Sequence, residues 1–368
     1  MIRNKNHRTW LPLNRRCFLA AAAGLAGSAS LSPLLGQTGT ASGPYFKTRG
    51  IILRTDNDLL TWGDHWPALA AEAGLTTIAT HMFPGPVAAY LKSEKGIKFL
   101  EDCRTLGLNV EHELHSMEAL LPRELFDKAP EMFRMDEQGN RVRQDNLCVH
   151  SKEAVAIVCE NAVKYARLLA PTTSRHFYWI DDGRPMCRCP KCRELSDSDQ
   201  ALLLENAMVR ALRENDPKAT LAHLAYLNTI SPPRSIRPEP GVFLEFAPIR
   251  RRFDRPLSDP EARASDDTMS HGETLQKLDE NLAVFDKATA QVLDYWIDVS
   301  LHSKWKRPAV RLPWNREVFR TDLQVYASRG IRNVTSFAVY VDADYVRRFG
   351  EPDFVREYGQ DLKTFVAL

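Results

Sequence analysis

From about residue 50 onward the chain alternates short apolar runs with longer stretches in which apolar residues recur every three or four positions. Short continuous apolar runs bounded by turn residues read as buried strands, and the 3.6-residue period reads as amphipathic helix. The pattern predicts strands over 50–54, 75–81, 108–114, 177–181, 220–226, 242–247, 291–297 and 333–341. Helices are predicted over 66–73, 87–106, 151–169, 198–213, 274–289, 315–328 and 353–366; in the third of these, Val155, Val158, Ala162 and Ala166 share one face. The proline-rich stretch 231–240 cannot be helix interior, so the fifth unit is expected to be abbreviated. Eight strand-like runs alternating with helices predict a (β/α)₈ TIM barrel, as one domain over 44–368. An open doubly wound sheet would more often carry a glycine-rich phosphate turn after its first strand. Arg54-Thr55-Asp56-Asn57 is not such a turn, and no organic cofactor is expected.

Residues 1–43 fall outside this pattern. Arg15-Arg16 precede Phe18-Leu19 and an alanine-rich apolar run to about Ser30, followed by a small-residue spacer. This looks like a twin-arginine export signal, which would place the protein in the periplasm or outside the cell; an ordinary secretory signal with a basic start is the other reading. The apolar run is too short and alanine-rich for a convincing membrane span, so no stable membrane anchor is expected. A net charge of +2, with 44% hydrophobic and 26% charged residues, describes a soluble globular chain and gives no reason to expect a nucleic-acid partner.

In a barrel the residues just past each strand converge on one mouth, so candidate functional residues can be read from the strand ends. Asp181 and Asp182 close the fourth strand and form a carboxylate pair suited to acid/base chemistry, although Asp-Asp-Gly also suits a simple turn. Glu245 and Asp298 are the candidate carboxylates from across the ring. Arg54, His81, Glu113, His115, Tyr226, Tyr295, Trp296 and Tyr340 are candidate substrate-binding residues at other strand ends; each aromatic could equally be core. The run Glu111-His112-Glu113-Leu114-His115 lacks the helical two-histidine spacing of zinc proteases. It lies in a strand, where His112 and Glu113 cannot both face the mouth.

Cys187, Cys189 and Cys192 crowd the loop after the fourth strand, and Cys148 ends the insertion before the third long helix. Four thiolates could hold one tetrahedral structural zinc, with His150 as an alternative fourth ligand. Disulfides, across Cys189 and Cys192 or from Cys148 to one of the three, are the rival reading in an oxidising compartment. Either way the cluster would staple the loop beside Asp181 and Asp182. Cys103 and Cys159 sit in helix patterns as small buried residues.

The stretch from about Leu108 to Arg250 resembles the DUF4838 family of exported bacterial proteins, which are similar to glycoside hydrolases of the (β/α)₈ type. The residues that carry the resemblance are Pro130-Glu131-Met132-Phe133, Gly139 and Arg141, Asn146-Leu147-Cys148, Asp181-Asp182-Gly183, the run from Cys187 to Cys192, the run from Ser196 to Gln200, and Phe246-Ala247-Pro248-Ile249. The resemblance implies an exported glycoside-hydrolase-like barrel acting on an oligosaccharide or polysaccharide, with Tyr295, Trp296 and Tyr340 stacking on sugar faces. The adjacent aspartates are also similar to those of retaining β-N-acetylglucosaminidases, which would make Asp181 the group orienting a substrate acetamido and Asp182 the general acid. Without substrate assistance, the second carboxylate would be Glu245 or Asp298. A barrel that binds glycan without cleaving it is the alternative function, and metal-assisted hydrolysis of another exported substrate is a third.

Overall fold

Eight parallel strands pair in chain order, and the eighth returns to the first to close a barrel. They are β1 (Thr48–Arg54), β2 (Thr77–His81), β3 (Asn109–His115), β4 (Arg175–Trp179), β5 (Thr220–Ala225), β6 (Val242–Phe246), β7 (Gln291–Asp294) and β8 (Asn333–Phe337). Closure sets Ile52 of β1 beside Phe337 of β8. Asp58, fully buried just past β1, accepts the N–H of Arg54 through Oδ2 and that of Tyr340 through Oδ1, both at 3.0 Å, and so ties the mouth ends of β1 and β8 together. The computed structural model describes residues 43–368 apart from Ser265, and the expected export signal lies ahead of the described residues. No helix among them is long and apolar enough to cross a membrane.

The helices are α1 (Asp58–Trp62), α2 (Trp66–Ala73), α3 (Pro84–Lys92), α4 (Glu94–Thr105), α5 (Met117–Leu120), α6 (Lys152–Leu168), α7 (Asp197–Asn215), α8 (His271–Leu282), α9 (Val299–His302), α10 (Arg316–Ala327), α11 (Ala343–Phe349) and α12 (Asp353–Thr364). The single helix expected over 87–106 is two. Ser93 has extended backbone, and its hydroxyl accepts the Gly96 N–H at 3.2 Å, which starts α4 afresh. The fifth unit is abbreviated as expected, with only a short 3₁₀ turn, Leu227–Thr229, before the proline-rich loop. The expected seventh and eighth strands run too long. Both stop several residues early, and beyond β8 the chain turns through Tyr340 at φ 71°.

Strand side chains alternate between the barrel interior and the helical shell. Ile52, Ala79, Phe177, Trp179, Ala222, Leu224, Phe243, Leu293 and Phe337 pack together inside the ring. β3 supplies no apolar residue to that set. Its Glu113 lies level with Phe177, and Glu245 of β6 lies level with Leu224, so both carboxyls point inward. Glu245 accepts from Trp179 Nε1 and Gln291 Nε2, each at 2.8 Å, and Gln291 in turn accepts from Arg175 at 2.6 Å. Neither Glu113 oxygen has a partner among the described residues. Burial, and then the charge of Glu245, raises Glu113 well above the glutamate range, and burial pushes Glu245 up to about 8.

A carboxyl raised in the folded state stabilises it at low pH. That contribution declines as pH rises above the ordinary glutamate value near 4.5, for Glu245 through about 8 and for Glu113 over a range beginning at the same ordinary value. Glu113→Gln keeps the shape and removes the titration. The variant is expected to be at least as stable as the wild type at pH 8 and to lose less stability between pH 4.5 and 8, as read by urea melts at several pH values.

Candidate active site

The mouth of the barrel holds an inner hollow of about 170 Å³. It opens into an outer vestibule of about 1510 Å³. Asp182, Tyr226, Ile249 and Trp305 line both spaces and mark the junction. Arg54, His81, His115, Tyr295 and Asp298 line the inner hollow, over a floor that includes Trp179, Leu224, Leu293 and Phe337.

The two aspartates after β4 part company. Trp179 points inward and Ile180 toward the helical shell, and there the strand ends. The Asp181 carboxylate takes a hydrogen bond from Arg123 at 2.8 Å, on the side of the insertion after β3, and is not among the residues lining the hollow. Burial raises its pKa above the ordinary aspartate value, and the Arg123 charge opposes that rise. Asp182 turns into the junction. Gly183 follows at φ +59°, a left-handed turn that favours glycine, and a Cβ there would have to displace the end of the Leu227 side chain, 2.7 Å away. Asn146, fully buried, locks this turn from outside. Its Oδ1 accepts the Asp181 N–H at 3.0 Å, and its Nδ2 donates to the carbonyls of Arg184 and Pro185.

Asp298 arrives from the opposite side of the ring as the cap of α9. Its Oδ1 accepts from the Ser300 N–H and hydroxyl at 2.9 and 2.6 Å, while Oδ2 has no partner among the described residues. Burial pushes it up to about 6 against those hydrogen bonds. Tyr226 and Tyr295 line the same hollow as Asp182 and Asp298. Burial raises both phenols; the charge of Asp182 adds most to the rise at Tyr226, with that of Asp298 behind it, and both carboxylates also act on Tyr295. Tyr295 stacks on Phe337 with ring centroids 5.4 Å apart.

Four more expected site residues stand elsewhere. Glu245 and Glu113 face inward but lie a layer below the mouth, at 0% exposure, where no substrate reaches them. Trp296 faces the opposite way from Tyr295. It packs on Phe319, Tyr326 and Tyr358 in the helical shell and donates to Asp322 at 2.9 Å, because consecutive residues of an extended chain diverge. Tyr340 lies at the β8 end under the Arg307 guanidinium, 4.1 Å from its ring centroid, and does not line either hollow. Arg54 is paired with Asp56 at the rim.

The four cysteines meet beside this site. The Sγ atoms of Cys148, Cys187, Cys189 and Cys192 lie within 4.8 Å of one another, all buried. Cys148 is 3.8 Å from both Cys189 and Cys192, far beyond the roughly 2.05 Å of a disulfide. His150 approaches the Cys192 sulfur at 3.2 Å through Nδ1, and the Met135 N–H donates to Cys187 at 3.3 Å. Hydrogen bonds from Cys187 and Cys192 lower the Cys148 thiol, and the same contacts raise the thiols of Cys187 and Cys192, so the group shares its protons.

The model of the family described as "Domain of unknown function (DUF4838)" matches residues 91–343, well over half of the chain. The chain belongs to the DUF4838 family. No curated protein matches it in sequence. Among solved structures, this DUF4838 barrel is similar to a β-N-acetylhexosaminidase from Bacteroides fragilis, at 11% identity and TM-score 0.50, over 86% of this chain and 66% of that one. It is similar also to a β-galactosidase from the psychrophilic Marinomonas ef1, at 12% identity and TM-score 0.50, over 79% of this chain and 53% of that one. The DUF4838 chain thus spans about two thirds of the first relative and about half of the second, and what it shares with them is the glycoside-hydrolase-like barrel.

Two features of the DUF4838 mouth escape strand-end reasoning. Trp305, 62% exposed, follows Lys304 with both residues in the left-handed region, and it projects at the junction as an aromatic platform. The signal for it was a lone tryptophan between lysines in a loop. The side chain of Arg251 is buried and fastens the loop after β6, where Arg250, Arg251 and Arg252 line the vestibule. It donates to Asp294 at 3.0 Å and to Asp322 at 2.6 Å, while the Tyr326 hydroxyl donates to Asp294 at 2.8 Å. Removing one member of a buried ionic set strands the others. Arg251→Met is therefore expected to cost about 3–5 kcal/mol of folding stability, measured by denaturant titration.

Proposed function

We propose that this DUF4838 protein is an exported glycoside hydrolase in which Asp182 is the general acid and Asp298 the second carboxylate. The observation that carries the reading is that Asp182, from the end of β4, and Asp298, from beyond β7, line one hollow lined also by tyrosines, with a tryptophan at its mouth. The inner hollow takes the sugar whose bond is broken, the vestibule takes the rest of the glycan, and Trp305 stacks at the boundary. Asp182, common to both spaces, is placed to protonate the oxygen that bridges them. Asp298 presents its unpartnered Oδ2 to the inner sugar, to stabilise or attack the oxocarbenium-like centre. Substrate assistance through Asp181 loses support, since that carboxylate is engaged by Arg123. Export rests on the Arg15-Arg16-Cys17-Phe18-Leu19 pattern and the apolar run that follows.

A panel of aryl glycosides and natural glycans tests the activity. Asp182→Asn and Asp298→Asn are each expected to lose at least 100-fold in kcat with the fold intact. Because Asp298 must be ionised, kcat/KM of the wild type is expected to fall as pH drops below about 6. Wild-type protein that binds glycans yet never releases reducing sugar would leave a binding barrel instead.

The same reading gives the cysteine cluster one structural zinc. Zinc–thiolate bonds of about 2.3 Å at tetrahedral angles set sulfurs about 3.8 Å apart, and two of the Cys148 separations are 3.8 Å. With four thiolates the position is closed, so Zn²⁺ would hold the insertion carrying Asn146 against the loop carrying Asp182, while His150 donates to a sulfur rather than ligating. Elemental analysis of protein purified without chelator is expected to find one zinc per chain, lost with cooperative folding in Cys192→Ser. Metal-free protein with no titratable thiols would favour disulfides.

A further inference from the structure

We infer that His81 and His115 form a double hydrogen-bond acceptor that recognises two free hydroxyl groups on one sugar ring in the inner hollow, an inference that rests on the glycan-binding reading of that hollow. It specifies a substrate whose sugar at this position is unsubstituted at both hydroxyls.

The two rings are held by the same device. His81 Nδ1 lies 2.7 Å from the carbonyl oxygen of Glu113, and His115 Nδ1 lies 2.8 Å from the carbonyl oxygen of Ile180. A carbonyl only accepts, so each Nδ1 carries the proton, and in the neutral ring each Nε2 keeps its lone pair. Neither Nε2 has a partner among the described residues, and both rings line the inner hollow. His81 is 8% exposed, a polar ring buried against Trp179 and Phe337 with one unsatisfied atom. Burial pushes it down to about 3, so it stays neutral at any physiological pH and cannot act as a cation there. The centroids of the two imidazoles stand 5.7 Å apart at 70°, and both rings line the same small hollow.

Acceptors select donors. A sugar hydroxyl satisfies an Nε2, whereas an ether, a sulfate ester or a carboxylate at the same place sets acceptor against acceptor and leaves a buried polar atom unpaired. A site built this way discriminates far more strongly than an apolar wall does.

The test uses the mature protein carrying Asp182→Asn, with methyl α- and β-pyranosides of glucose, galactose, mannose and N-acetylglucosamine, and the monodeoxy and mono-O-methyl forms of whichever binds, titrated by calorimetry. Removal or methylation of either of two particular hydroxyls is expected to weaken binding at least about tenfold, with the remaining positions tolerated. His81→Asn keeps a donor near the Nδ1 position and loses the Nε2 acceptor, so it is expected to weaken the parent sugar at least about tenfold and to become indifferent to one of the two hydroxyls. His115→Asn is expected to do the same for the other. His81→Gln, which restores an acceptor near the Nε2 position, is expected to recover part of the affinity. Thermal melts of all variants control for folding. If the asparagine variants bind as tightly as their parent, or if no single hydroxyl matters, or if no pyranoside binds, the inference is overturned. Binding with this hydroxyl pattern, but no sugar release by wild-type protein, would sink the hydrolase reading and leave the inference standing. Sugar release by wild-type protein, with His81→Asn and His115→Asn keeping the parent's affinity and its dependence on every hydroxyl, would do the reverse.

Discussion

The structure depends on one geometric constraint, the alternation of side chains along strands that close into a ring. Each strand can send only every second residue inward, and only its last inward residue, or one just beyond it, reaches the mouth. Closure is therefore also selection. The pairing of Ile52 with Phe337 fixes the register of the seam, and the neighbouring registers decide that His81, His115, Tyr226 and Tyr295 line the hollow while Trp296 joins the shell. Glu113 and Glu245 obey the same rule one layer lower, where both are fully buried and burial favours the protonated carboxyl.

The loops that finish the mouth are not strands, and polar networks built into the shell hold them. Asn146 braces the turn after Asp181, Arg251 fastens the loop after β6, Asp298 is fixed by the start of α9, and Asp58 spans the β1–β8 seam. Each is a buried or nearly buried polar side chain whose partners are backbone groups or opposite charges, an arrangement that is costly to break and so keeps a site rigid. The cysteine cluster belongs with them. It joins the insertion after β3 to the loop after β4, the two segments between which Asp181 and Asp182 are set.

The partition of the aspartate doublet shows what such anchoring does to chemistry. Two identical side chains, adjacent in sequence, end in different surroundings: Asp181 against a guanidinium, Asp182 at the junction of two hollows. The DUF4838 barrel shares its architecture with enzymes that cleave glycosidic bonds, yet at 11–12% identity the fold alone is common ground, and chemistry must be argued from the side chains at this mouth.

Hydrophobic periodicity alone determined the eight strand positions, the order of strand and helix, the abbreviated fifth unit, and the loops that hold Asp182, Asp298 and the four cysteines, since buried strands and amphipathic helices write their periods directly into the chain. It could not say where strands stop. Glu245 and Glu113 belong to the interior a layer below the mouth, Trp296 faces the shell because it alternates with Tyr295, and Tyr340 lies past the early end of β8 and lines neither hollow. Only the tertiary structure decided which aspartate faces the hollow, that Trp305 guards its entrance, and that two backbone carbonyls fix the tautomers of His81 and His115. Those outcomes depend on contacts between residues tens to hundreds of positions apart, and a local pattern carries no record of such partners.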